Sequence, residues 1–127
     1  MTYKVLIVDD SKLARMAAAK VLADCHPDWA SLEADSADLA MSAVSRDSPD
    51  IALVDFNMPG GDGLHLAAEL RKLKPAMPIA LISANHQQQI VNRARELGAA
   101  FLPKPLSRSS LHAFLESAVQ ELKAGAR

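Results

Sequence analysis

One cysteine, one tryptophan and one tyrosine stand among 127 residues, and aromatic side chains make up only 4% of the chain. The single thiol, Cys25, has no partner for an internal disulfide, which fits a reducing compartment. With only His26 beside it, Cys25 reads as a small half-buried apolar residue rather than a nucleophile. No apolar run approaches the roughly 20 residues that a membrane-spanning helix needs, and the opening MTYKVLIVDD lacks a secretory pattern. Basic runs are missing too. Fourteen Lys and Arg face fifteen Asp and Glu for a net charge of −1, so charge gives no case for nucleic acid. The expectations are no membrane, no nucleic acid and a cytoplasmic location.

What is present alternates. Short apolar runs at Val5 to Val8, Trp29 to Ala34, Ile51 to Val54, Ile79 to Ile82 and Ala99 to Leu102 read as strands. Between and after them, apolar residues recur at helical spacing: Leu13, Ala14, Ala17 and Val21; Leu39, Ala40, Ala43 and Val44; Leu66, Ala67, Leu70 and Leu73; Ile90, Val91, Ala94 and Leu97. The last stripe, Leu111, Phe114, Leu115, Ala118, Val119 and Leu122, is the clearest. Ser11 or Asp10 is placed to cap the first helix, Pro75 follows the third, and Gly98 is placed to stop the fourth. Strands that alternate with helices predict one domain, an α/β fold built on a five-stranded parallel sheet with five helices covering both faces. Near-continuous apolar strands agree with a sheet buried on both sides.

One stretch resists this bland account. In DFNMPGGDG, Asp55 to Gly63, turn chemistry explains Pro59 to Gly63 but not a carboxylate set against the end of an apolar strand. In open parallel sheets, ligands bind beyond the carboxyl ends of the strands. The first strand ends in Asp9 and Asp10, the third in Asp55, the fourth in Ser83, and the fifth runs into Lys104. Alone, Asp10 reads as a cap, Ser83 as a turn and Lys104 as a solvated charge. Four strand ends agreeing is a stronger signal than any of them. Clustered carboxylates repel and push one another toward protonation. A hard cation such as Mg²⁺, which takes one or two carboxylates and leaves positions for water and phosphate oxygens, relieves that conflict. The lysine and the hydroxyl beside it complete equipment for a phosphoryl group.

The segments VLIVDDS, LVDFNMPGGDG, LIS and FLPKPL resemble those of the receiver domains of two-component response regulators, in the same order and over nearly the whole chain. The resemblance implies the 2-1-3-4-5 strand order of the flavodoxin-like doubly wound fold. It implies that Asp55 accepts phosphoryl from a phosphohistidine on a histidine kinase or histidine phosphotransfer protein. Asp9, Asp10, Asp55 and the carbonyl of Asn57 would hold Mg²⁺, while Lys104 and Ser83 would bind phosphoryl oxygens. Ser83 and Phe101 would form a switch toward a downstream partner on the face of the fourth helix, fifth strand and fifth helix. Arg93, Arg95, Glu96, His112 and Glu116 are the outward residues there. Asn57 and Asn85 would tune the phosphoryl lifetime, and the Lys104–Pro105 bond would be cis. Ser83 replaces a common threonine, and Phe101 lacks the hydroxyl of a tyrosine found in chemotaxis relatives.

The leading expectation is a non-enzymatic, stand-alone phosphoacceptor, because only Lys123 to Arg127 follow the last helix. A phosphorelay intermediate and a receiver cut from a longer regulator are the alternatives. An aspartyl-phosphate phosphatase is disfavoured, since Asn57 stands where a second, acid-donating Asp belongs. Asp9 and Asp10 likewise repel the phosphate of a flavin. The four histidines, His26, His65, His86 and His112, are too scattered to form a metal motif.

Overall fold

A computed structural model describes residues 2–58, 63–84 and 87–125. Five strands, β1 (Lys4–Val8), β2 (Ala30–Ala34), β3 (Ile51–Asp55), β4 (Ile79–Ser83) and β5 (Ala100–Pro103), alternate with five helices. These are α1 (Lys12–Cys25), α2 (Ala37–Asp47), α3 (Gly63–Leu73), α4 (Gln88–Glu96) and α5 (Arg108–Gly125). All strand pairs are parallel, in the order β2-β1-β3-β4-β5. The expected order holds.

Alternate strand residues point to opposite faces, so the sheet builds two cores. Leu6, Val8, Ala52, Val54, Ile79 and Leu81 pack with residues of α2, α3 and α4. Val5, Ile7, Ile51, Leu53, Ala80, Ile82 and Leu102 pack on the other face with Ala18, Leu22, Leu111, Leu115 and Ala118 of α1 and α5. Both faces of β3 and β4 are therefore dry, which is why their sequences show no polar alternation.

Helix faces departed from expectation where apolar residues are abundant. In α1 the buried residues are Ala18 and Leu22, whereas Leu13 is 78% exposed and Ala17 is exposed. Its run of alanines and aliphatics offers several overlapping stripes, and only packing against the sheet selects one. Leu39 and Leu73 are likewise exposed at the margins of their stripes. Ser11 proves to be the N-cap of α1, its side chain accepting from the Ala14 amide at 3.2 Å. Gly98 follows α4 with φ +68°, the left-handed conformation in which glycine avoids the Cβ penalty.

Candidate functional site: an acidic cluster at the strand ends

Register brings the polar residues together. Val8 pairs with Val54, Asp55 with Ile82 and Ser83 with Pro103, so β1, β3, β4 and β5 all end at one edge. Asp9, Asp55 and Ser83 are buried there, Asp10 and Asn57 are exposed, and Lys104 is half-buried. Lys104 Nζ lies 2.9 Å from Asp55 Oδ1 and 3.3 Å from Asp9 Oδ2. The other Asp9 oxygen, Oδ1, accepts from the Ser11 amide at 2.9 Å. The Asn57 amide donates to Asp55 Oδ1 at 3.4 Å. The lysine is aimed by backbone as well: its N–H donates to the Ser83 carbonyl at 3.0 Å, and the Lys104–Pro105 peptide is cis, as the resemblance implied.

The donor set suits a hard cation. Asp9, Asp10 and Asp55 each offer a carboxylate oxygen, and these oxygens lie within 4.8 Å of one another. Oxygens opposite each other around Mg²⁺ are about 4.2 Å apart, so three carboxylates at this spacing can share one ion directly or through water.

Gly63 answers part of the question posed by DFNMPGGDG. It opens α3 and does not adopt a left-handed conformation, so a turn is not what requires it there. A Cβ at this position would overlap the Asp55 carbonyl oxygen and come within 2.9 Å of Phe56 Cα. Its N–H donates to the Phe56 carbonyl at 3.0 Å, tying the start of α3 to the end of β3. Close approach of backbone to backbone makes this glycine necessary. Pro59, Gly60, Gly61, Asp62, Asn85 and His86 lie outside the described residues.

Electrostatics at the cluster oppose one another. Burial raises the Asp55 carboxyl above its ordinary range; the hydrogen bond from Lys104 pulls the other way, and the Asp9 charge adds to the rise. Burial also works against the Lys104 ammonium, but hydrogen bonds and charge from Asp55 and Asp9 outweigh it and hold that group protonated. A carboxyl with a raised folded value keeps its proton while the unfolded chain ionises. Stability therefore falls as pH rises from about 3.8 through the raised value, and the penalty persists above it. Without divalent cation, Asp55→Asn is expected to raise the neutral-pH melting midpoint by about 3–5 °C, roughly 1 kcal/mol. It should also flatten the acid-to-neutral fall. A lower midpoint, measured by calorimetry in chelator, would contradict this.

Sequence reasoning missed Arg15. From α1, its Nη1 donates to the Asp9 carbonyl at 2.7 Å and its Nε pairs with Glu33 of β2 at 3.1 Å. β2 thus supports the site indirectly, through a side chain that no motif marked.

Residues 5–116 match the family described as Response regulator receiver domain. The chain belongs to this family. The receiver is 37% identical over 111 residues to the Glycerol metabolism activator of Pseudomonas putida, covering 86% of this chain and 50% of that protein. It is 35% identical over 121 residues to the Transcriptional regulatory protein PdtaR of Mycobacterium tuberculosis, covering 94% and 58%. A crystal structure of NtrX from Brucella abortus superposes with a TM-score of 0.88 at 29% identity, over 99% of this chain and 28% of that one. The receiver spans about half the length of the curated relatives it matches. Among the described residues, no helix is long and apolar enough to cross a membrane.

Proposed function

We propose that this receiver is a phosphoacceptor switch that takes phosphoryl onto Asp55 with Mg²⁺ and alters a partner-binding face. The observation that carries the reading is Asp55 itself. It is a buried strand-end carboxylate, held by Lys104 and set within reach of Asp9 and Asp10. A bound Mg²⁺ supplies charge neutralisation and ligand positions for phosphoryl oxygens. An Asp55 oxygen forms the new P–O bond; the P–N bond of a phosphohistidine breaks, and its electron pair leaves with the imidazole nitrogen. Lys104 then donates to the phosphoryl oxygens instead of the bare carboxylate, and the Ser83 hydroxyl adds a charge-assisted hydrogen bond. The Asn57 carbonyl would complete the metal set, and Asn57 and Asn85 would tune the phosphoryl lifetime.

The donor is a histidine kinase or histidine phosphotransfer protein of the cytoplasm, and it must contact what borders Asp55. Three residues beyond Asp9, α1 begins and exposes Leu13 and, at 53%, Met16, an apolar surface suited to such a donor. On the output side, Arg93, Arg95, Glu96, His112 and Glu116 are all exposed, on α4 and α5. Half-buried Phe101 packs on the core that α4 shares. Movement of Ser83 toward phosphate makes room that Phe101 fills, coupling site to face by roughly 1–3 kcal/mol.

Two measurements test this. Intact mass after treatment with acetyl phosphate should show one added phosphoryl group with Mg²⁺ and none with chelator. Amide chemical shifts with beryllofluoride should then move at Phe101 and along α4. Shifts confined to the loops beside Asp55 would reduce the protein to a phosphoacceptor without a switch.

A further inference from the structure

Among the described residues, the side chain of Arg71, in the last turn of α3, donates only to backbone carbonyls. Nε reaches the Leu97 carbonyl at 2.9 Å and Nη2 the Gly98 carbonyl at 3.1 Å. Nη1 reaches Met77 at 2.7 Å and Pro75 at 2.9 Å. One guanidinium on α3 therefore binds two further stretches of chain: the connection to β4, at Pro75 and Met77, and the residues that close α4, Leu97 and Gly98. The last carbonyls of a helix lack intrahelical donors and carry the negative end of its dipole, so a planar cation with a rigid fork of donors suits them. Lysine, a point charge with rotating donors, does not reproduce four directed bonds.

Among the described residues, the core packing of α4 falls on its later part. Ala94 is buried, and Leu97 and Ala99 pack on the core shared with α3. Ile90 and Val91, nearer the start, are half-buried, as Leu97 and Ala99 are, and Gln87 to Gln89 are exposed. The amides of Leu97, Gly98 and Ala99 all donate back into the last turns of the helix.

We propose that Arg71 is the positioning residue of the switch: it pins the carboxyl end of α4 as a pivot, so α4 answers phosphorylation by tilting at its amino end. This rests on the switch reading above. A hinge of this kind turns a small displacement beside Ser83 into a larger one at the first turn of α4, while the α3–α4 junction stays in place.

Amide hydrogen exchange on the full chain, with and without Mg²⁺ and beryllofluoride, tests it in wild type, Arg71→Lys and Arg71→Gln. In wild type, activation should change exchange at residues 88–91 and leave residues 97–99 unchanged. In both variants exchange at 97–99 should rise about tenfold without activation, and the activation-dependent change should spread over the whole helix. Mere loss of stability would raise exchange everywhere without redistributing the activation response. A uniform wild-type response along α4, or an unchanged gradient in a folded Arg71→Lys protein, would overturn the pivot. An α4 silent in wild type, with beryllofluoride demonstrably bound, would overturn the switch itself and the pivot with it.

Discussion

Asp55→Asn, treated with acetyl phosphate and Mg²⁺, should gain no phosphoryl mass, whereas the wild-type chain should gain one group. The expectation follows from what each neighbour contributes. Asp55 is 3% exposed at the end of β3, and its partners Lys104 and Asp9 approach from β5 and β1. Asp9 has both oxygens engaged, by Lys104 and by the Ser11 amide, and Asp10 is exposed and free of that pairing with Lys104. Lys104 thus holds both Asp9 and Asp55, and Asp55 is the closer to it and the more deeply buried of the two. An amide cannot act as the nucleophile, so the loss should be complete rather than partial. Asp9→Asn or Asp10→Asn should instead slow labelling by about 10-fold or more, by weakening metal binding. Mass gained by Asp55→Asn, or labelling undiminished in chelator, would remove Asp55 or the cation from the account.

Gly63→Ala should cost about 3 kcal/mol or more, at or beyond the top of the usual overpacking range. The added methyl meets backbone on the far side, not the tip of a flexible side chain that could swing away. Relief requires α3 to move off the end of β3, breaking the Gly63 N–H to Phe56 carbonyl bond and displacing the segment that carries Asp55. Because the strained contact is with Asp55 itself, labelling of the folded fraction should also fall. Urea unfolding, with the slope unchanged, measures the first effect. A variant within about 0.5 kcal/mol of wild type would show that the junction yields more easily than its geometry implies.

The alternating architecture was legible because it depends on local periods. Buried runs such as IALV and IALI cannot be other than interior strands when stripes like that of α5 lie between and after them. The candidate site was legible for a related reason. Asp9, Asp10, Asp55, Ser83 and Lys104 each sit at the end of a strand or within two residues of it, and parallel strands put all such positions on one edge. Tertiary structure alone decided the rest. The face α1 turns to the sheet was invisible, since its alanines pack almost equally well in several orientations and Leu13 ends outside. Arg15 and Arg71 were invisible because what they bind, the carbonyls of Asp9, Leu97 and Gly98, is present in every residue and leaves no mark in side-chain identity. The need for Gly63 was hidden as well: a glycine required by a turn and one required by two backbones in contact are the same letter, and only their packing tells them apart.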